Sequence, residues 1–187
     1  MKNRNNLAQN KSILISCVYI LMLPIYILAL NMLQYLILIF FDLDYNSGFS
    51  LILSLGISIF IFGWFIKKGF SYFSGEDTIH RIISIIFGLS AYICLLLQIG
   101  IIFLGYYYVQ YSDTIFSQEK VLLLEDMFNG QQPIDLLFII RILFNNIFPL
   151  FFKYPDKEGI MVGIQFFMGK FIDIFILAFI VEKLKRK

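Results

Sequence analysis

Three stretches of this sequence are apolar over lengths that water-soluble folds rarely use. They cover residues 13–41, 49–66 and 82–108, and none of them contains a charged residue. A helix of about 20 apolar residues crosses the ~30 Å hydrocarbon core of a bilayer. Hydrophobic residues make up 59% of the 187 residues, which is above the level of soluble domains. The chain is therefore predicted to be an integral membrane protein.

A fourth apolar run covers residues 160–181 and carries two charges, Lys170 and Asp173. Its length predicts a fourth span. A further apolar stretch at 134–152 is interrupted by Asp135, Arg141, Asn145, Asn146 and Pro149. We predict that this stretch lies on the bilayer or dips into it, without crossing.

Basic residues mark the predicted orientation, because lysine and arginine flank membrane spans mainly on the cytoplasmic side. They cluster in the N-terminal tail, after the second span (Lys67, Lys68, Arg81) and at the C-terminus (Lys183, Lys185, Arg186, Lys187). Four crossings put all three clusters in the cytoplasm, whereas a fifth would move one terminal cluster outside. We predict a multi-pass protein of the cell membrane, the bacterial inner or plasma membrane, with both chain ends cytoplasmic.

The predicted fold is an all-α integral membrane protein with one membrane domain, residues 1–187. Its four transmembrane helices cover 13–41, 49–66, 82–108 and 160–181. Residues 109–159, called here the outer segment, form an extracytoplasmic helical or re-entrant connection between the third and fourth helices. Within it the sequence favours a short helix, a turn at Asn129 and Gly130, and a second, apolar helix.

The charges of the fourth span need compensation, because a lysine or aspartate at mid-bilayer depth costs about 2.5–3.5 kcal/mol or more. Lys170 and Asp173 are three residues apart and can attract each other. If the chain folds back between 153 and 159, Arg141 lies opposite position 171 and can meet Asp173. The set Lys170, Asp173 and Arg141 is either a structural ion network or part of a solute, proton or ion pathway.

Two glycines lie on the same stripe as these charges. Gly159 and Gly163 have the G-x-x-x-G spacing that permits close helix approach in membranes. The coincidence of small residues with charges predicts that this face meets protein and not acyl chains.

Amide side chains occur in three of the predicted spans: Asn31, Gln34, Gln98 and Gln165. They form either a polar pocket that opens outward or hydrogen bonds from helix to helix. In the second span Ser50, Ser54 and Ser58 recur every four residues. Such a stripe of small residues predicts tight helix packing within or between subunits.

The sequence offers no arrangement for catalysis. A nucleophile with a base, or a metal with several ligands, is required, and no motif supplies either. We therefore predict no enzymatic activity, no metal site and no cofactor.

Size and span count resemble those of colicin-type immunity proteins and of membrane subunits of bacterial phage-defence pairs such as Kiwa, a likeness of architecture that transfers no residue. The first hypothesis is a non-enzymatic membrane subunit that self-associates and couples a membrane or extracytoplasmic signal to a cytosolic partner, including a role in bacterial defence. The alternatives are a small oligomeric channel or transporter, and an immunity protein against a membrane-inserting toxin. The expected partners are the lipid bilayer, further copies of the chain and a cytosolic protein, without direct nucleic acid binding.

Overall fold

A computed structural model describes residues 2–43, 47–71, 78–110, 115–153 and 159–185. The helices, numbered along the chain, are α1 Lys2–Phe40, α2 Gly48–Ser71, α3 Thr78–Gln110, α4 Gln118–Phe128, α5 Leu136–Ile142, α6 Pro149–Phe152 and α7 Ile160–Lys185. A π-helical turn, Leu143–Ile147, connects α5 to α6. The described residues contain no β-strand.

Four of these helices are long and apolar enough to span a membrane, which confirms the predicted all-α fold and the number of candidate spans. The candidate spans are Ile13–Phe40, Gly48–Gly69, Thr78–Tyr108 and Ile160–Ala178. Two helices extend beyond their apolar stretches. Lys67 and Lys68 continue α2, and His80 and Arg81 lie in the first turns of α3, because hydrogen bonding within a helix does not stop where hydropathy falls.

The first three helices form an up-down-up unit. Tyr26 of α1 donates a hydrogen bond to the Ile61 carbonyl of α2 at 3.1 Å, and the Tyr19 ring lies 6.5 Å from that of Phe87 in α3. Further along α1, Asn31 contacts Gln98. Helix α1 is therefore antiparallel to α2, since Gln34 contacts Ser54, and it runs parallel to α3.

Helix α3 is the centre of the bundle and α7 is peripheral. In the most apolar stretch of each helix, 44% of α3 is buried, compared with 17% of α7. Tyr107 of α3 contacts Gln165, and Tyr92 contacts Asp173. Helix α7 thus runs antiparallel to α3, and its last turns lie beside the beginning of α3.

Residues 136–152 form one interrupted helix, called here the 136–152 helix. The Asp135 carboxylate caps its start by accepting hydrogen bonds from the backbone N–H groups of Leu137 and Phe138, at 2.9 and 3.2 Å. Pro149 lacks an N–H and its ring would clash with the carbonyl four residues back, so regular winding fails before it. The Phe148 N–H instead bonds to Leu143, five residues back, at 2.8 Å.

The 136–152 helix belongs to the hydrophobic core and not only to the surface. Its second half carries four buried side chains, Ile142, Leu143, Ile147 and Phe151. They pack in a cluster with Phe103 and Tyr107 of α3. Helix α4 precedes it and ends in a turn where Gly130 has φ +72°, a backbone conformation that glycine adopts without strain.

Candidate functional site

Gln98 is the centre of a buried network that ties α1, α2 and α3 together. Its side chain has no exposed area. It accepts from the Asn31 amide at 2.9 Å and donates to the Ser58 hydroxyl at 3.2 Å and the Gln34 oxygen at 3.4 Å. Gln34 in turn donates to the Ser54 carbonyl at 2.8 Å and to the Ser58 hydroxyl. Each buried amide is thereby satisfied without water.

The serine stripe of α2 faces this network. Ser50, Ser54 and Ser58 are all buried. The Ser50 hydroxyl bonds to the Ser47 carbonyl one turn earlier at 2.8 Å, so it takes no part in the amide network. The sequence left two arrangements for the amide side chains, an outward-opening polar pocket or hydrogen bonds from helix to helix. Asn31, Gln34 and Gln98 form hydrogen bonds from helix to helix.

Gln165 forms a separate junction between α3, α7 and the 136–152 helix. It is fully buried. Its oxygen accepts from the Tyr107 hydroxyl at 2.8 Å, and its amide donates to the Ile147 carbonyl at 2.9 Å. The carbonyl it meets belongs to the π turn, where the regular hydrogen-bond ladder is interrupted. The glutamine therefore satisfies a backbone group that the irregular turn leaves available.

Gly169 allows the 136–152 helix to touch the backbone of α7. A Cβ atom added to this glycine would lie 2.5 Å from the carbonyl oxygen of Phe151. One turn earlier, Ile147 meets Gln165. Both pairs are eighteen positions apart in sequence, so the two helices run parallel over this contact and not as an antiparallel hairpin.

The parallel register corrects the predicted place of Arg141. An antiparallel return would have put it opposite position 171, near Asp173. The observed offset puts it level with Gly159, at the start of α7, and its side chain is exposed. Arg141 therefore does not pair with Asp173, because the connection between the two helices reverses the expected direction of approach.

Asp173 has a different partner. The Tyr92 hydroxyl of α3 donates to its carboxylate at 2.6 Å. The Lys170 amine lies 5.5 Å from the centre of the Phe166 ring, which is cation–π range. Among the described residues the two charges form no ion pair, since helical side chains point toward the N-terminus and Lys170 extends to Phe166, away from Asp173.

No helix in the described part of the chain covers the glycines of the charged stripe. A Cβ atom on Gly163 would meet nothing within 4 Å, and one on Gly159 would meet only Val162 of its own helix. Among the described residues, the glycine end of the face that was predicted to contact protein is therefore open.

The π turn is also tied to α4. Asn146 donates to the Ile115 carbonyl at 2.8 Å and accepts from the Lys120 amine at 3.0 Å. These contacts join the short helix of the outer segment to the segment that touches α7.

Lys67 and Lys68 are exposed at the end of α2, and Arg81 is half-buried near the start of α3. Lys68 lies 5.1 Å from the centre of the Trp64 ring. Lys183 and Lys185 belong to the last turns of α7, beside the same end of α3. Arg186 and Lys187 lie outside the described residues.

A long apolar cleft separates α2 from α7 on the surface of α3. Two adjoining cavities of about 630 and 270 Å³ form it. They share Ile59 and Gly63 of α2, Leu95 of α3, and Phe175 and Ile176 of α7. Lys170 and Asp173 do not line it, so the charged stripe and the cleft are different faces of α7.

Sequence reasoning missed four residues of these junctions: Tyr92, Tyr107, Phe151 and Gly169. The tyrosines were counted as apolar span or interface residues, although a hydroxyl in a span requires a hydrogen-bond partner. Gly169 could have been found from the sequence, because it is a small residue that directly precedes Lys170 and lies one turn from Asp173, where close approach of another helix was expected. Nothing in the sequence indicated that Phe151 is its neighbour.

The described residues include no group of three or more His, Cys, Asp or Glu side chains that could hold a metal ion. The described geometry is that of an α-helical bundle with four candidate membrane spans, which are linked by buried polar contacts. No protein family, curated protein or solved structure matches the chain.

Proposed function

We propose that the protein is a non-enzymatic, multi-pass subunit of a membrane assembly, which self-associates and couples an event at its outer segment to a cytosolic partner. The observation that carries the proposal is the backbone contact between Phe151 and Gly169. It joins the outer segment directly to α7, the last helix before the basic C-terminus.

The 136–152 helix is proposed to be re-entrant. Gly169 lies nine residues beyond Ile160, which is about 14 Å along α7. The end of the 136–152 helix, which contacts Gly169, therefore lies about 14 Å further along the axis of α7 than the first residue of that helix. The seven residues from Lys153 to Gly159 can extend by about 23 Å. That length is sufficient for the chain to return to the side from which it entered.

The cytoplasmic side is proposed to be the end of the bundle with the basic residues. Lys67, Lys68 and Arg81 lie at the end of α2 and the start of α3, and the last turns of α7 lie beside them. Lysine and arginine favour this side of a membrane. A surface of this charge suits anionic headgroups or an acidic face on a cytosolic protein.

Coupling follows from how few contacts hold α7. Few of its side chains are fully buried, and its contacts with the described residues are mainly with α3 and the 136–152 helix. A displacement of the 136–152 helix acts on α7 through Gln165 and Gly169, while α3 is held separately by the Gln98 network. The cytoplasmic end of α7 would then move relative to that of α2.

Distance measurements between two spin labels test this coupling. Lys67→Cys and Glu182→Cys label the basic ends of α2 and α7, with Cys17 and Cys94 replaced by alanine and the labelled chains diluted with unlabelled ones in nanodiscs. Adding Gly169→Ala, which pushes the 136–152 helix from α7, should shift the distance distribution. Gly56→Ala is the matched control, because a Cβ atom there meets nothing within 4 Å.

An unchanged distribution in the Gly169→Ala variant, together with reduced stability, would contradict coupling through this contact. Self-association is measured on the same samples by the mass of the protein in nanodiscs or detergent. A strictly monomeric protein would contradict the assembly part of the proposal.

A further inference from the structure

One face of α7 repeats at intervals of four and three residues, as the contact seam of paired helices does. The face, called here the α7 stripe, consists of Gly159, Gly163, Phe166, Lys170, Asp173 and Leu177. Its first five members are half-buried, and Leu177 is exposed. No other element of the described chain packs on its two glycines.

The stripe contains a charge, that of Lys170, for which the described part of the chain provides no ion pair. Lys170 lies ten residues from Ile160 and eight from Ala178, at the middle of the span. Ten residues of helix measure about 15 Å, which is longer than a lysine side chain, so its amine cannot reach the outer surface. An ammonium group facing acyl chains at this depth is strongly unfavourable, and the Phe166 ring is a weaker partner for it than a carboxylate.

We propose that a second copy of the chain covers the α7 stripe, with the Lys170 amine of each copy turned from the Phe166 ring toward the C-terminal end of α7 and bound to the Asp173 carboxylate of the other copy. In a two-fold symmetric interface, when one residue meets another across it, the reverse contact follows. The stripe carries one positive and one negative group three residues apart, so it is complementary to itself. Gly159 and Gly163 let the two helices approach closely.

Tyr92 prepares Asp173 for this contact. Its hydrogen bond holds the carboxylate at the edge of the stripe, while the second carboxylate oxygen is left for a lysine, because a carboxylate accepts several hydrogen bonds. The interface rests on the self-association proposed above and specifies the surface that mediates it. A different protein on this face would need its own matching acid and base at the same depths.

Disulfide crosslinking tests which face meets the second copy. Leu177→Cys belongs to the stripe, and Phe175→Cys on the same helix lines the cleft instead; their native side chains are similarly exposed, at 64% and 62%. With Cys17 and Cys94 replaced by alanine, oxidation in membranes should crosslink the Leu177→Cys chain into dimers and leave the Phe175→Cys chain largely monomeric. The reverse result, or equal crosslinking, would overturn the proposal.

A mixed-chain experiment tests the reciprocal charge pair. Chains with Lys170→Met and chains with Asp173→Asn, carrying different tags, are expressed separately and together. The mixed dimer keeps one lysine–aspartate pair and contains no unpaired charge from this set, whereas each uniform dimer has two unpaired like charges. The mixed dimer should be recovered about tenfold more than either uniform dimer. A tenfold ratio corresponds to the free energy of the stronger hydrogen bonds measured between membrane helices.

The outcomes separate this inference from the proposed function. Statistical mixing of the two variants in a protein that is still dimeric would overturn the α7 interface and leave self-association through another face. A wild-type chain that stays monomeric in membranes would overturn both. Dimers that form only with an unrelated membrane protein would assign the stripe to a heterologous partner and also overturn the inference.

Discussion

The carbonyl oxygen of Phe151 occupies the space that a side chain on Gly169 would need. The distance from that oxygen to an added Cβ atom is 2.5 Å, and the Phe151 Cβ would be 2.8 Å away. The obstacle is backbone, so no rotamer change can relieve it. This contact fixes how deeply the 136–152 helix lies against α7.

Replacing Gly169 with alanine should destabilise the protein. Overpacking of a close contact typically costs about 1–3 kcal/mol, and thermal or denaturant unfolding in detergent measures it. Gly56→Ala should leave stability unchanged or raise it by about 0.5–1 kcal/mol, because alanine favours helix and that site is open. Equal stability of the two variants would contradict the close approach of the two helices.

Labelling with a membrane-impermeant maleimide in intact cells should show Gln132→Cys and Ile160→Cys on the same side. Both native residues are exposed and flank the 136–152 helix. A re-entrant helix returns to its starting side, whereas a crossing helix separates its ends. Lys67→Cys should react only after the cells are opened. Labelling of Gln132→Cys and Ile160→Cys from opposite sides would show a fifth crossing.

The Gln98 network should behave as one unit. Gln98→Leu removes one of the partners of Asn31 and one of Ser58, and the unfolding free energy should fall by about 1–3 kcal/mol. Asn31→Leu combined with Gln98→Leu should cost less than the two single changes added together by about 0.5 kcal/mol or more. Additive costs in this double-mutant cycle would mean that the two amides do not interact.

Loss of the Tyr92 hydroxyl should weaken the attachment of α7 to α3. Tyr92→Phe removes the hydrogen bond to Asp173, and the expected loss of stability is about 1 kcal/mol. Tyr35→Phe serves as the control, because that tyrosine is 59% exposed, and its effect should stay within about 0.5 kcal/mol. A Tyr92→Phe variant as stable as this control would show that the hydroxyl contributes nothing.

The long helices could be predicted from the sequence because spanning a bilayer requires a minimum apolar length. All four predicted spans correspond to helices that meet this requirement. Their ends were less predictable. Helix α2 continues past Lys67 and Lys68 to Ser71, since charged residues at a membrane surface prolong a helix as readily as they end one.

Partners across the bundle could not be predicted in the same way. The position of Arg141 depended on assuming that a short connection gives an antiparallel pair, and the contact of Phe151 with Gly169 has the opposite sense. Asp173 was expected to meet a basic residue of the same chain, but its partner among the described residues is the Tyr92 hydroxyl. Sequence identified which side chains needed partners, whereas tertiary packing decided which ones they found.

The π turn at Leu143–Ile147 contains one residue more than regular winding would use over the same length. Deleting a single residue there would advance everything before it by one position, about 100° of rotation. Arg141 would then take the buried place that Ile142 now fills. The number of residues in this turn therefore determines which side chains of α5 face the core. Deleting one of them would put a charged side chain on the buried face of α5.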